Sequence, residues 1–429
     1  MNAGTERGRQ IGRWALTGLM INSIIGSGVF GVPGELAHLL GTASPLACIA
    51  AGLAVAVIIA CFLEVGSQFS ESGGPYLYVR TAYGRLAGIQ VAWFTALTPL
   101  AAAAAQANLF ASYLEGFLPT VPRWLVIVAV VLLPLAANLI GLREGKRLAT
   151  VLVIAKLVPL LALIAAGLAH PQAAVAASRA APGMQAWLGA VLLAVFSFGG
   201  FENALAATGV VDRPRQSVPF ALAVSLAVCI AINTLIQWVV ARTLDPALAP
   251  SRPLAAAASV LIGAQGASLI AIAALVSTSG AISATVLAIP RLLVALAQGG
   301  DFPRLFARQR ADGTPVVAML TVVAVVLLLG LTGTFKWALA VTAGSMAIFA
   351  GAVCAALPRL RRLQPQAIRL RVPAGVPLAV AGVGIAIVLL LQLEATEAGL
   401  LLVTVALAGI NGWLALRASR RTVADHAPR

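Results

Sequence analysis

The stretch Asn22-Ser23-Ile24-Ile25-Gly26-Ser27-Gly28-Val29-Phe30 lies in the middle of the first long apolar run of the chain. A helix that crosses a membrane needs about 20 apolar residues, with its backbone hydrogen bonds made inside the helix. Two glycines and a serine interrupt this run, and glycine lets a backbone leave helical angles. The interruption indicates either a close-packing face between helices or an unwound segment that lines a cavity.

A second apolar run is interrupted in the same way. It contains Phe196-Ser197-Phe198-Gly199-Gly200-Phe201-Glu202-Asn203, with the ionisable Glu202 inside it. The two interruptions fall in the first and sixth predicted spans, and such a pair in two halves of a chain is typical of a transporter binding site. Free amides and the positive end of a half-helix can hold a carboxylate there. The pattern favours the cavity interpretation.

The composition is that of a polytopic membrane protein. The chain has 429 residues, of which 60% are hydrophobic and 10% charged, and its mean hydropathy is +0.97. Such values exclude a soluble enzyme with a single anchor. Apolar runs predict about twelve spans, which start near Trp14, Ser44, Leu86, Trp124, Leu148, Gln185, Val218, Ala264, Pro315, Lys336, Ala374 and Ala398. The first outer connection is expected near residues 33–43.

The distribution of cations gives the orientation. Most of the 29 Lys and Arg residues fall in segments on one side of the predicted spans, so the positive-inside rule puts both termini in the cytoplasm. The net charge of +15 is thereby explained by topology, with no nucleic-acid partner. The predicted organisation is an N-terminal tail at 1–13, a first inverted repeat at 14–170, a second at 185–332 that extends to about 357, two last helices at 358–416 and a C-terminal tail at 417–429.

The four cysteines lie in apolar runs and the three histidines are scattered, so the sequence predicts no disulfide framework, no metal site and no cofactor. A membrane-embedded enzyme would need a nucleophile with a base, or a metal cluster, at one depth. The spans offer neither, and we expect no enzyme. No charge or heptad pattern specifies a protein partner or an oligomeric state.

Lys156 lies inside the fifth predicted span, eight residues beyond Leu148. That is about 12 Å at 1.5 Å per residue, against a hydrocarbon half-thickness of about 15 Å. The side chain either snorkels to the cytoplasmic face or remains buried as an amine that exchanges a proton during transport.

Other polar residues within the spans each have more than one interpretation. Glu64 is either a gate acid or an ion-paired residue at a helix end. Asn108 either faces a cavity or bonds between helices. Hydroxyls in the eighth span coordinate a cation, bond an amine or bond back to their own helix; they are Ser277, Thr278, Ser279, Ser283 and Thr285.

Five segments resemble, in the same order, motifs of the amino acid–polyamine–organocation transporter superfamily. They are Gly26-Ser27-Gly28-Val29-Phe30 in the first helix, Ser72-Gly73-Gly74-Pro75-Tyr76 at the second-to-third helix junction, Ser197-Phe198-Gly199-Gly200-Phe201-Glu202 in the sixth, the loop at 212–219, and the loop from Phe302 to Pro315. The resemblance implies an all-α LeuT-like fold, with ten helices in two inverted repeats plus two more, and an amino acid as substrate.

The resemblance also implies roles for individual residues. The substrate carboxylate would be held by Gly26, Ser27 and Gly28, and its amino group by carbonyls of Ile24, Phe196 and Gly199. Phe196 would act as a gate, and Glu202 would link proton or substrate state to gating. Lys156 matches a lysine that occupies the place of a sodium ion in proton-coupled members, with Ser277, Thr278 and Ser279 as its partners. Asn108, Ser283 and Thr285 would line a side-chain pocket that is small or polar, without a guanidinium clamp.

The predicted function is therefore secondary transport of an amino acid across a bilayer, expected to be the bacterial inner membrane, by alternating access coupled to protons. The alternatives are amino-acid exchange without net proton coupling and a polyamine or organic-cation carrier. Few acids lie within the spans, which disfavours a polycation site.

Overall fold

The computed structural model describes residues 12–69, 73–139, 146–170, 182–201, 211, 214–245, 251–366 and 370–425. These form α-helices joined by short connections: α1 (Arg13–Ile24), α2 (Gly28–Leu40), α3 (Ser44–Gly66), α4 (Gly74–Tyr83), α5 (Arg85–Leu114), α6 (Arg123–Leu139), α7 (Lys146–Ala169), α8 (Met184–Val195), α9 (Pro214–Thr243), α10 (Pro253–Leu261), α11 (Ala264–Gln298), α12 (Val316–Thr332), α13 (Phe335–Leu363), α14 (Gly375–Leu390) and α15 (Ala395–Asp425). Short 3₁₀ turns occupy 41–43, 196–198 and 304–307.

Several helices along the chain are long enough to span a membrane. Within the described residues, six helical segments are long and apolar enough to cross a membrane, and shorter apolar helices lie between them. Helices begin within about one turn of every predicted span start. The chain is an all-helical, multi-pass membrane protein.

The outer end of the first span differs from the prediction. The connection expected at 33–43 is largely helical, because α2 continues through Pro33 to Leu40. A proline removes one helical hydrogen bond, but residues 28–34 are all buried, so packing holds the helix together beyond it. The short helix α10 was not predicted. The paired glycines and proline at 73–75 leave a turn or a half-helix open, and the structure has the short helix α4 there.

Two long helices, α5 and α13, form the centre of the bundle. They pack against each other, and α5 also contacts α11, α12, α4 and α15. Ala101, Ala103, Ala104 and Ala105 of α5 are fully buried, and such small residues let helix backbones approach closely. The Tyr113 hydroxyl donates to the carbonyl oxygen of Phe30 at 2.9 Å. This bond fixes α2 against the bundle centre.

Glu64 is an ion-paired residue. Its carboxylate is fully buried and accepts two hydrogen bonds from the Arg361 guanidinium of α13 and one from Val372 N at 2.8 Å. A buried carboxylate needs a cationic partner and hydrogen bonds such as these to remain charged. The pair joins α3 to the end of α13. Of the two interpretations of Glu64, the structure agrees with the ion-paired residue at a helix end.

A second buried carboxylate, Asp301, lies in the loop after α11. It accepts from Arg80 at 2.9 Å and from Arg85 at 2.5 Å, and from the Tyr76 hydroxyl. Asn411 of α15 donates to its backbone carbonyl at 2.7 Å. Two of the motif segments, the half-helix α4 and the loop after the eighth span, are therefore held together by one acid.

Candidate functional site

The first helix break is present where the sequence predicts it. Helix α1 ends at Ile24 and α2 begins at Gly28. Gly26 N donates to Ile24 O at 2.8 Å rather than to the carbonyl four residues back. The backbone between the half-helices therefore leaves carbonyl oxygens without their helical donors.

The second break is also present. Helix α8 ends at Val195 and a 3₁₀ turn covers Phe196–Phe198, after which Gly199 is extended. Gly200 has φ of +97°, a region open to glycine and costly for other residues. Gly199 N donates to Phe196 O at 3.2 Å.

The structure brings the two breaks into direct contact. The Ser23 hydroxyl donates to Gly200 O at 2.8 Å, and a Cβ at Gly200 would lie 2.5 Å from Ser23 O. On the other side of the break, a Cβ at Gly28 would lie 2.8 Å from Cδ1 of Phe196 and 3.2 Å from the Ser197 hydroxyl. The approach at Gly200 is to backbone and requires glycine, whereas a Cβ at Gly28 would have to displace the Phe196 ring.

Ser27 stands at the start of α2 and is 1% exposed. Its hydroxyl has no hydrogen-bond partner in the part of the chain that the structure describes. The first N–H groups of any helix lack helical acceptors, and the helix dipole makes this end positive. The Phe196 ring covers this end, next to Gly28. A buried hydroxyl donor and unpaired amides thus lie beneath an aromatic ring.

Lys156 of α7 contacts the backbone of the same break. Its Nζ donates to Asn22 O at 2.9 Å and to Ile25 O at 2.6 Å, and the side chain is 8% exposed. In a continuous helix those oxygens would accept from backbone N–H groups four residues on. The Lys156 amine takes the place of those N–H donors. It is therefore directed into the protein and does not snorkel to the cytoplasmic face.

The hydroxyls of α11 bond to their own helix. Thr278 donates to Ala274 O at 2.7 Å and Ser279 to Val276 O at 3.1 Å. Helix α11 packs against α7, but among the described residues the Lys156 amine bonds to Asn22 O and Ile25 O and not to these hydroxyls. Thr285 donates to Ala281 O at 3.2 Å in the same manner. Ser277 and Ser283 are half-buried on this helix.

Asn108 is not brought to the breaks. Its amide donates to Ala104 O at 3.1 Å and Gly330 O at 2.9 Å, and its oxygen accepts from Arg123 at 3.0 Å. These bonds use both N–H groups and connect α5 to α12 and α6. Asn108 therefore forms hydrogen bonds between helices, and its side chain has no free donor for a ligand.

Of the residues singled out in the sequence, Ile24, Gly26, Ser27, Gly28, Phe196 and Gly199 lie together, with Lys156 beside them. Glu202 lies outside the described residues. Sequence reasoning missed the Asn22 carbonyl as a partner of Lys156. It also missed Met346 of α13, whose Sδ lies 3.9 Å from a Cβ at Gly199. Neither carries a sequence signal, because a backbone carbonyl is common to every residue and methionine is an ordinary core residue.

A family model for amino acid permeases matches residues 11–408. The chain belongs to the amino acid permease family. The family is part of the amino acid–polyamine–organocation superfamily, whose members are transporters and not enzymes, and it implies a LeuT-like fold for this permease. The resemblance found in the motifs is thereby confirmed.

Relatives of known name are transporters. The permease is 29% identical over 318 residues to a serine/threonine exchanger of Bacillus subtilis, with 68% of each chain covered. It is 27% identical over 324 residues to a methylthioribose transporter of the same organism, covering 70% of this chain and 69% of the other. An uncharacterized transporter of Mycobacterium tuberculosis is 27% identical over 340 residues, covering 72% and 71%. The permease is a secondary transporter of an amino acid or similar solute.

Proposed function

We propose that this permease carries a zwitterionic amino acid by alternating access, and that Lys156 couples the movement to protons. The observation that carries the proposal is that two different groups belong to one helix break. The Ser27 hydroxyl at the start of α2 has no partner among the described residues, and the Lys156 amine bonds to Asn22 O and Ile25 O at the end of α1.

The substrate carboxylate binds at the start of α2 in this proposal. Unpaired amides, the positive helix end and the Ser27 hydroxyl supply donors that water does not reach in a buried site. The Phe196 ring lies against Gly28 at this end. It must turn aside to admit the carboxylate, which makes Phe196 the gate that the resemblance implies.

The substrate amino group binds to carbonyls of the two breaks. Ile24 O and Phe196 O each accept one backbone hydrogen bond, and a carbonyl oxygen has a second lone pair for an ammonium. Gly199 O completes the set. Because the two breaks touch through Ser23 and Gly200, and the Phe196 ring lies next to Gly28, the proposed anion and cation subsites are neighbours.

The side chain of the substrate is expected to be uncharged. Lys156 is a cation at the first break, and the other described residues named at the two breaks, Ser23, Phe196, Ser197 and Met346, are neutral. A substrate cation would find no carboxylate partner among these residues, at a cost of several kcal/mol in a membrane interior. The same reasoning disfavours a polyamine.

The position of Lys156 supports the proposed proton coupling. The amine in its charged form stabilises the carbonyls freed by the break, and in its neutral form donates more weakly. Its protonation state is therefore linked to the conformation of α1 and α2. The competing function is exchange without net proton coupling, which is favoured by the similarity to the Bacillus subtilis serine/threonine exchanger.

A competition experiment tests the substrate class. Purified permease is incubated with a labelled neutral amino acid and an excess of its amide, its ester or the decarboxylated amine. We expect the parent amino acid to compete and the three analogues, which lack the carboxylate, to compete poorly. Equal competition by the decarboxylated amine would instead indicate a cation carrier.

A further inference from the structure

A cavity of about 380 Å³ lies between the end of α13 and the start of α14. Arg361, Arg371 and the residues 372–377 line it. It is far along α13 from Met346, which contacts the second break, and none of the residues discussed for amino-acid binding lines it. The size suits a phosphate-bearing head group.

Arg361 presents fixed donors to this cavity. Glu64 accepts from Nε and Nη2 of its guanidinium, and Val372 O accepts from Nη2 at 3.2 Å. The side chain is 16% exposed. A guanidinium has five N–H groups, and no hydrogen bond runs from Nη1 to another described residue. Glu64 thus holds the guanidinium in one orientation, and the two Nη1 N–H groups have no acceptor among the described residues.

The net positive charge at the cavity suits a ligand with one negative charge. Two arginines line it and Glu64 lies behind one of them, which leaves a single excess positive charge. Helix α14 starts at Gly375, and the first helical bond at this end runs from Leu378 N to Ala374 O. The N–H groups of Gly375 and Val376 therefore point out of the helix end beside the arginines.

An apolar path leads from the cavity along α14. Val376 lines the cavity and is 42% exposed, and it is followed on the same helix by Val380 at 68% and Ile387 at 52%. Residues four and seven positions apart share one helix face. The arginines can hold the phosphate of a lipid while this apolar face holds its hydrocarbon chain. Free phosphate would contact the arginines alone.

We infer that this cavity binds the head group of an anionic phospholipid. The phosphodiester accepts hydrogen bonds from Nη1 of Arg361, from Arg371 and from the first amides of α14. One acyl chain lies along Val376, Val380 and Ile387. Because Arg361 also holds Glu64 of α3, the lipid contacts the end of the same ion pair that joins α3 to α13.

Lipid retention on purified permease tests this inference. Mixed micelles with phosphatidylglycerol or phosphatidylcholine are compared by native mass spectrometry and by the melting temperature from tryptophan fluorescence. Arg371→Gln is the test variant, since Arg371 is exposed and its loss leaves the Glu64–Arg361 pair intact. Arg362→Gln is the matched control, because Arg362 is exposed on the next position of α13 and does not line the cavity.

We expect phosphatidylglycerol to be retained and to raise the melting temperature of the parent chain and of Arg362→Gln. Arg371→Gln should retain it about fivefold less, the effect of one arginine near an anionic head group. Equal retention of the two lipids, or equal losses in both variants, would overturn the assignment. Inorganic phosphate that stabilises the permease as much as the lipid does would assign the cavity to a free anion instead.

Discussion

The Lys156 amine lies 2.6 Å from the carbonyl oxygen of Ile25, in the middle of the break between α1 and α2. The same amine reaches Asn22 O at 2.9 Å. Both oxygens belong to a helix that has lost its local donors, so the lysine is part of the break. This relationship connects one titratable group to the two half-helices that flank the proposed carboxylate site.

Two substitutions of Lys156 distinguish the effect of its charge from the effect of its hydrogen bonds. Lys156→Gln keeps a donor for one of the carbonyls but cannot exchange a proton, and Lys156→Ala keeps neither. We expect both variants to fold and to lose accumulation driven by a pH gradient. The alanine variant should also be less stable, by about 1–3 kcal/mol for each buried carbonyl left unsatisfied. Flux in proteoliposomes and melting temperature measure the two effects.

The matched control for Lys156 is Lys336→Gln. Lys336 is half exposed and lies 3.7 Å from Glu394, which is itself largely exposed. Such surface pairs contribute little to stability, and the variant should transport like the parent. Undiminished pH-driven accumulation in Lys156→Gln would show that this lysine has a structural role alone.

Gly28→Ala tests the proposed carboxylate site. The new Cβ would lie 2.8 Å from the Phe196 ring and close to the Ser197 hydroxyl, in the space through which a carboxylate approaches the start of α2. We expect KM to rise about tenfold, equivalent to about 1.4 kcal/mol of lost binding. Gly18→Ala is the control, since a Cβ there meets no atom within 4 Å. A similar KM in the two variants would contradict the assignment.

Gly200→Ala tests the contact between the two breaks. Its φ of +97° is costly for alanine, by about 1–3 kcal/mol, and its Cβ would meet Ser23 O at 2.5 Å. We predict a lower melting temperature together with reduced transport. Gly189→Ala in α8 has open space around its Cβ and should be neutral or slightly stabilising. Normal transport by Gly200→Ala would mean that the breaks need not touch.

The Glu64–Arg361 pair predicts a non-additive mutant cycle. Glu64→Leu leaves a largely buried guanidinium without its carboxylate, and Arg361→Leu leaves a buried carboxylate without its guanidinium. Removing one partner of a buried pair costs about 3–5 kcal/mol. Replacing both residues by leucine removes the unpaired charge as well, so much of that stability should return. Melting temperatures of the two single variants and the double variant measure the coupling. Additive losses would argue against the pair as the connection between α3 and α13.

Much of this architecture could be predicted from the sequence because hydrophobic length and glycine placement are local signals. The span starts, both breaks and the depth of Lys156 follow from such signals. The partners of polar side chains do not. Asn108 is held by Arg123 and Gly330 and the Thr278 hydroxyl by its own helix, and each choice depends on which helix face meets a neighbour. Helix α2 continues past Pro33 for the same reason, since its burial is a tertiary property.

The most direct test of the account is uptake of a labelled neutral amino acid into proteoliposomes that contain no amino acid, with and without an acid-outside pH gradient. The account predicts accumulation that requires the gradient and disappears in Lys156→Gln. Uptake that ignores the gradient but requires amino acid preloaded inside would contradict it, and would identify the permease as an exchanger.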